Sequence, residues 1–325
     1  MKYICNRNRA EASLFILFFL FYSLFFSSSD AISEVSLREK LRQKLSRNEE
    51  GDKRKLQGLE KFKERKGKGA PVINISGRNV AVWEASHSGP GKIPVIIFSH
   101  GYKGCNVQSA SLMEEISKSG FTIFAPNHLD ASCNSDKSKK IEKPEFGKPD
   151  KWSEDKYKDR RDDIVSVIEG LKADPKWASQ LDFSKLALIG HSLGGYTALG
   201  LSGAWSSWEM PGVKAVLAWS PYASPFIVRK TLGQIHIPIM YQGGTRDMGI
   251  TPHLKKGGGA FDQAKSRAYF VNLQDAGHFS WTEFNKKQRN LILSYSLSFL
   301  KKYVLADQSV NLDETLGAVA EFKRK

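Results

Sequence analysis

Cysteine is scarce: the 325 residues hold three, Cys5, Cys105 and Cys133, and a chain of this length can build a sizeable core without staples. No Cys, His, Asp or Glu cluster carries metal-ligand spacing, which leaves a metal site and a cofactor without support. The longest apolar run, residues 14–26, falls short of the ~20 residues that cross a bilayer. Zinc-finger, RNA-binding and helix-turn-helix patterns are all missing, so the net charge of +15 is alone in pointing to nucleic acid. That charge is uneven, because residues 37–68 hold 13 Lys/Arg against 6 Asp/Glu, a net +7 in a tenth of the chain. A nucleic-acid partner is therefore not assigned. There is no fixed-period repeat and no long apolar insert of the kind that builds a large lid.

What is present begins with Lys2, Arg7 and Arg9, then the apolar run, then Ser27-Ser28-Ser29-Asp30-Ala31. A basic head, an apolar stretch and small residues form the layout of a secretory signal peptide over residues 1–30, with cleavage after Ser29 or Ala31. An uncleaved membrane anchor is the other reading. Residues 31–70 read as a basic linker or propeptide, partly helical or disordered. Leu37, Leu41 and Leu45 also permit an amphipathic helix against the domain, a membrane or another anionic surface. Lys66-Gly67-Lys68-Gly69-Ala70-Pro71 marks the boundary of a domain over 71–305, and 306–325 reads as a C-terminal tail.

Within that domain, residues 72–76 and 79–85 alternate around Gly77-Arg78 and predict a hairpin. Apolar runs follow at 95–99, 121–125, 186–189, 213–219, 237–242 and 268–273. Helical patterns fall near 108–119, 160–173, 192–203, 259–266 and 284–303. Near-continuous apolar strands alternating with helices predict an α/β fold, a mostly parallel central sheet covered on both faces. Chemistry gathers at the carboxyl ends of such strands. Two inserts, 131–159 and 204–212 with Trp205, Trp208 and Met210, are candidates for the rim of a pocket, or else plain solvated loops.

The strand at 186–189 runs into Gly190-His191-Ser192-Leu193-Gly194-Gly195 and then an Ala/Leu-rich helix. Strand, sharp turn and helix are the setting of a Gly-x-Ser-x-Gly nucleophile elbow, with Ser192 at its tip. A serine hydroxyl is a weak nucleophile; it needs a histidine to take its proton and a carboxylate to orient that histidine. Asp247 follows Gly243-Gly244-Thr245-Arg246, 55 positions after Ser192, and His278 follows another strand 31 positions later. The order Ser, Asp, His, each past a strand end, is that of an α/β-hydrolase triad. Asp275 lies nearer to His278 in sequence, but on the same loop it is awkwardly placed for the ring, so Asp247 is preferred. His191 is a poor base for its own neighbour, and His100 reads as a loop brace. The backbone N–H groups of Leu193 and Tyr102 are the candidate oxyanion donors.

His100-Gly101-Tyr102, the Ser192 elbow, Gly243-Gly244-Thr245-Arg246-Asp247 and Gly277-His278-Phe279 resemble the α/β-hydrolase superfamily over about residues 72–304. Within it the chain is most similar to the dienelactone hydrolase and platelet-activating factor acetylhydrolase-like branch, with chlorophyllase and cutinase-like polyester hydrolases. It departs from typical dienelactone hydrolases, which use cysteine where Ser192 stands. The resemblance implies Ser192 as nucleophile, Asp247 as acid and His278 as base. It also puts Tyr222, in Trp219-Ser220-Pro221-Tyr222, beside the cleft; Tyr102, Tyr222 and Trp281 are the candidate substrate-binding residues. Cys105 and Cys133 both follow strand ends, and either a disulfide or two buried thiols fits. The expectation is an exported serine hydrolase of carboxylic esters acting on a small-molecule or lipid ester. A lipid-directed acyl hydrolase and a non-catalytic binding protein on the same fold are the alternatives.

Overall fold

The computed structural model describes residues 70–86, 91–134, 141–284, 286–313, 315–317 and 319–325. The expected signal peptide and all of the basic segment before Ala70 lie outside the described residues. No helix among those described is long and apolar enough to cross a membrane.

Among the described residues nine strands form one sheet: β1 (Val72–Ile75), β2 (Arg78–Trp83), β3 (Ile93–Ser99), β4 (Thr122–Pro126), β5 (Leu181–His191), β6 (Val213–Trp219), β7 (Ile239–Gly244), β8 (Ala268–Leu273) and β9 (Glu321–Arg324). Their spatial order is β1-β2-β4-β3-β5-β6-β7-β8-β9. The expected hairpin is β1 and β2, antiparallel around Gly77. From β4 to β8 all neighbours pair in parallel.

The apolar strands are continuous because both faces are covered. Along β3, Val95 and Ile97 join the core on one side, whereas Ile96 and Phe98 join the core on the other, as the period of two requires. The first side receives α2 (Lys158–Ala173) and α4 (Leu193–Leu199), and the second receives α1 (Ala110–Lys118) and α8 (Arg289–Val304). On α8 the buried positions include Ile292, Tyr295, Ser296, Phe299 and Leu300, one stripe at helical spacing. The described residues also form short helices: α3 (Pro175–Gln180), α5 (Ser224–Arg229), α6 (Thr251–Lys255) and α7 (Ala260–Gln263).

Three expectations are corrected. The segment 306–325 is not only a tail, because its end forms β9, which pairs antiparallel with β8 and lays Phe322 beside Tyr269 and Tyr295. The helix expected over 192–203 is α-helical only to Leu199; a π-helical turn follows and ends where Gly203 takes a φ of 111°. The 204–212 insert does not rim a pocket. Trp205 and Trp208 are buried and pack on Tyr196 and Phe226 beneath α4.

Candidate active site

The elbow forms because two glycines let three backbone segments close up. A Cβ on Gly190 would lie 2.1 Å from the Gly194 carbonyl oxygen, and one on Gly194 only 1.9 Å from that of Ser99. Neither position admits a side chain. Ser192 itself is held at φ 55°, ψ −118°, a region costly for a residue with a Cβ. The turn is fastened from below, with the Ser192 N–H donating to Trp219 O at 3.0 Å and the Tyr222 N–H to Ser192 O at 2.9 Å.

His278 brings Nε2 to 2.9 Å from Ser192 Oγ, and its Nδ1 is 3.4 Å from Asp247 Oδ2. Asp247 is buried. Asp275 does not compete for the ring: at φ 60° it turns away to pair with Arg246 at 3.0 Å and Lys287 at 3.3 Å. Between Asp247 and His278 stands a residue that sequence reasoning missed, Ser220. Its hydroxyl donates to Asp247 Oδ2 and lies 2.8 Å from His278 Nδ1. Only its place at the end of β6, in the quoted stretch Trp219-Ser220-Pro221-Tyr222, hinted at it.

His191 is spoken for. It is buried between Gln108, whose amide lies 3.0 Å from its Nδ1, and the carbonyl of His278, 2.8 Å from its Nε2. Burial first, and then the nearby His278, push its pKa down to about 3. A neutral ring that spends its N–H on a backbone carbonyl is a strut, not a base. Gln108 extends that strut by accepting the Gly101 N–H at 3.1 Å, which ties the loop after β3 to the loop that carries His278.

The loop after β3 reaches the elbow, where a Cβ on Gly101 would stand 3.4 Å from Ser192 Cβ. This brings Gly101, the residue before Tyr102, against the residue that precedes α4. Beneath the loop Arg160 is fully buried in a bidentate pair with Asp130 at 2.8 to 3.0 Å, and it also donates to His100 O at 2.7 Å. Asp130 in turn accepts the Lys103 N–H at 2.9 Å. Burial alone would raise the Asp130 carboxyl, but Arg160 outweighs it and holds the pKa at about 2. His100 braces the loop as expected: its Nε2 accepts the His128 N–H at 3.1 Å and its Nδ1 lies 2.8 Å from Gly101 O. Among the described residues no group of three His, Cys, Asp or Glu is placed to hold a metal ion.

Residues 77–235 match the family profile for Chlorophyllase. Over 245 residues the chain is 25% identical to Cutinase 1 of Thermobifida cellulosilytica, an alignment spanning 71% of this chain and 80% of that protein. The same identity and span relate it to a Cutinase of Thermobifida fusca (strain YX), there covering 69% of the relative. Cutinase est2 of Thermobifida alba is 26% identical over 216 residues, 65% of this chain and 60% of that one. The chain is an ester hydrolase of the α/β-hydrolase superfamily.

Above Ser192 the hydrolase opens a cleft of about 740 Å3 whose lining includes His278, Tyr222, Phe146, Pro149, Ile250 and His253. The described part of the 131–159 insert therefore does shape the mouth. It is pinned there, with the Tyr222 hydroxyl donating to Phe146 O at 2.8 Å and Arg229 on α5 donating to Pro149 O and Asp150 O at 3.1 and 2.7 Å. Phe146 packs edge-on against Tyr222, ring centroids 4.8 Å apart, and against Tyr102 at 6.4 Å. Trp281 is corrected: expected to touch substrate, it is fully buried and donates from Nε1 to Gln242 Oε1 at 2.9 Å. Its indole lies behind His191, ring centroids 6.5 Å apart, because the turn after His278 folds inward. Cys105 and Cys133 are joined in a disulfide that links the loop after β3 to the loop after β4.

Proposed function

We propose that this hydrolase is an exported serine esterase that cleaves carboxylic esters through an acyl-enzyme. The observation that carries the reading is the 2.9 Å approach of His278 Nε2 to a Ser192 hydroxyl raised on a strained elbow. Ser192 attacks the ester carbonyl as His278 takes its proton; His278 then protonates the leaving alcohol, and a water repeats the sequence to release the acid. Asp247 stabilises the imidazolium. The N–H groups of Tyr102 and Leu193 receive the oxyanion of the tetrahedral intermediate. Tyr222 and Tyr102 flank the substrate, and no cofactor takes part. The relatives named cutinase are the further support for an ester as substrate.

A second reading, a lipid-directed acyl hydrolase, is favoured by one observation. Met248 and Phe279, each adjacent in sequence to a residue of the proposed triad, are 74% and 59% exposed, and Phe284 beside Phe279 is 81% exposed. Adjoining exposed apolar side chains, as Phe279 and Phe284 are with ring centroids 6.4 Å apart, favour an apolar partner or substrate.

One experiment separates these readings: hydrolysis of p-nitrophenyl esters from acetate to palmitate by the protein recovered from the culture medium, with Ser192→Ala beside it. Turnover that favours short chains and falls about 10^3-fold or more in the variant supports the esterase, and preference for palmitate supports the lipid reading. Undiminished turnover by Ser192→Ala overturns both. An N-terminus near residue 30 supports export, and a chain that keeps Met1 and stays with the cells overturns it.

A further inference from the structure

Ser220 occupies a place that the triad leaves open. It follows β6 directly and is fully buried, with a φ of 42°, in the left-handed region that a non-glycine residue enters only when its surroundings hold it there. The surroundings do hold it. Its N–H donates to Gln242 O at 2.7 Å, the next residue, Pro221, lies against Gly195, and the Tyr222 N–H is bound to Ser192 O. The side chain is thus aimed by backbone on both sides. It does not line the cleft.

What it is aimed at fixes its hydrogen. A serine hydroxyl has one proton, and Ser220 donates it to Asp247 Oδ2, which leaves lone pairs for His278 Nδ1 at 2.8 Å. Nδ1 must then carry the ring proton, which leaves the lone pair on Nε2 facing Ser192 Oγ at 2.9 Å. The direct contact from Nδ1 to Asp247 Oδ2, at 3.4 Å, is long for a hydrogen bond that has to set a tautomer alone. A hydroxyl thus stands between the carboxylate and the base.

We propose that Ser220 is a positioning residue for ester hydrolysis, whose hydroxyl, between Asp247 and His278, sets the tautomer and the height of the His278 ring. The inference rests on the Ser192 and His278 assignment above.

The test exploits the backbone. Ser220→Gly removes the hydroxyl and relieves the positive φ, so the relieved backbone offsets part of the lost hydrogen bond and the melting temperature should stay within a few degrees of the parent's. If the hydroxyl positions His278, kcat falls about 10- to 100-fold, as loss of a hydrogen bond to a charged group implies, while KM stays within about twofold. Ser220→Ala, which keeps the Cβ, should match it in kcat. Parental kcat in Ser220→Gly overturns the inference, as does a loss of kcat that tracks a falling melting temperature in both variants. Ser192→Ala, run alongside, keeps the two claims apart: its inactivity with a fully active Ser220→Gly removes only the role of Ser220, and its full activity removes the triad reading.

Discussion

Gly194 shows how little room a single position leaves at the elbow. A Cβ there meets three backbone atoms, Ser99 O at 1.9 Å, Ser99 C at 2.5 Å and His100 O at 2.7 Å, none of which is the free end of a flexible side chain. In Gly194→Ala the end of β3 must move away from α4. The expected cost is about 1–3 kcal/mol of stability, the range for overpacking a close contact, read as a lower urea midpoint at unchanged slope. Ester turnover should fall further than stability does, because the displaced segment leads directly into Tyr102. A midpoint and turnover both equal to the parent's would show that the contact is not needed. The residues of the elbow and of the proposed triad were legible in the sequence because each sits in a short local pattern at a strand end. Ser220, Gln108 and Arg160 were not. Asp247, His191 and Asp130, with which they pair, lie 27, 83 and 30 positions away, and a lone Ser, Gln or Arg carries no local periodicity. Trp281 was misplaced because an aromatic three residues after the base looks the same from the sequence whether its loop turns outward or inward.

At the scale of elements, the β1–β2 hairpin was predicted from its alternation, and the inner strands from the unbroken apolar runs that burial on two faces leaves. β9 could not be read in this way, since Glu321, Phe322, Lys323 and Arg324 hold one apolar residue and three charges. It forms because β8 leaves an edge of unpaired N–H and C=O groups that Glu321–Arg324 can cover. The Ala268 and Lys325 backbones exchange hydrogen bonds at 3.1 and 3.0 Å, and the Ala320 N–H donates to Asn272 O at 2.9 Å. Charged side chains suit such an edge, which must not recruit another chain. Removal of residues 319–325 should therefore cost about 1–3 kcal/mol, mostly the burial of Phe322 and its contacts with Tyr269 and Tyr295. It should also bring concentration-dependent association in light scattering, as the β8 edge opens. A truncated chain with the parental light scattering and the parental urea midpoint would show that β9 is dispensable.

For the whole molecule, three buried histidines around the catalytic edge set its behaviour in acid. Burial is the leading cause in each case: His191 is pushed down to about 3, His100 is held well below the usual histidine range, and His128 is lowered. Each ring is neutral in the folded protein at pH values where the unfolded chain, with its histidines near 6.5, already binds a proton. A depressed folded pKa makes stability full above about pH 6.5 and lost as pH falls, for His191 down to about pH 3. Each such histidine removes up to about 1.4 kcal/mol per pH unit within its window. The Asp130–Arg160 pair does not contribute in the same range. With Asp130 held at about 2 against an ordinary value of 3.8, its contribution persists until pH drops below the ordinary value, and it disappears as pH passes the folded one. Between pH 6.5 and 4 the histidines therefore act without it. Urea unfolding at pH 7, 6 and 5 should show stability falling progressively, and His191→Gln should fall less steeply over the same interval because one titrating group is gone. The variant also loses part of the strut between Gly101 and His278, so its stability at pH 7 starts lower, and the two curves should converge as pH drops. Parallel curves would mean that His191 is protonated in the folded protein as readily as in the unfolded chain, and that its ring is not the neutral strut on which the loop after β3 rests.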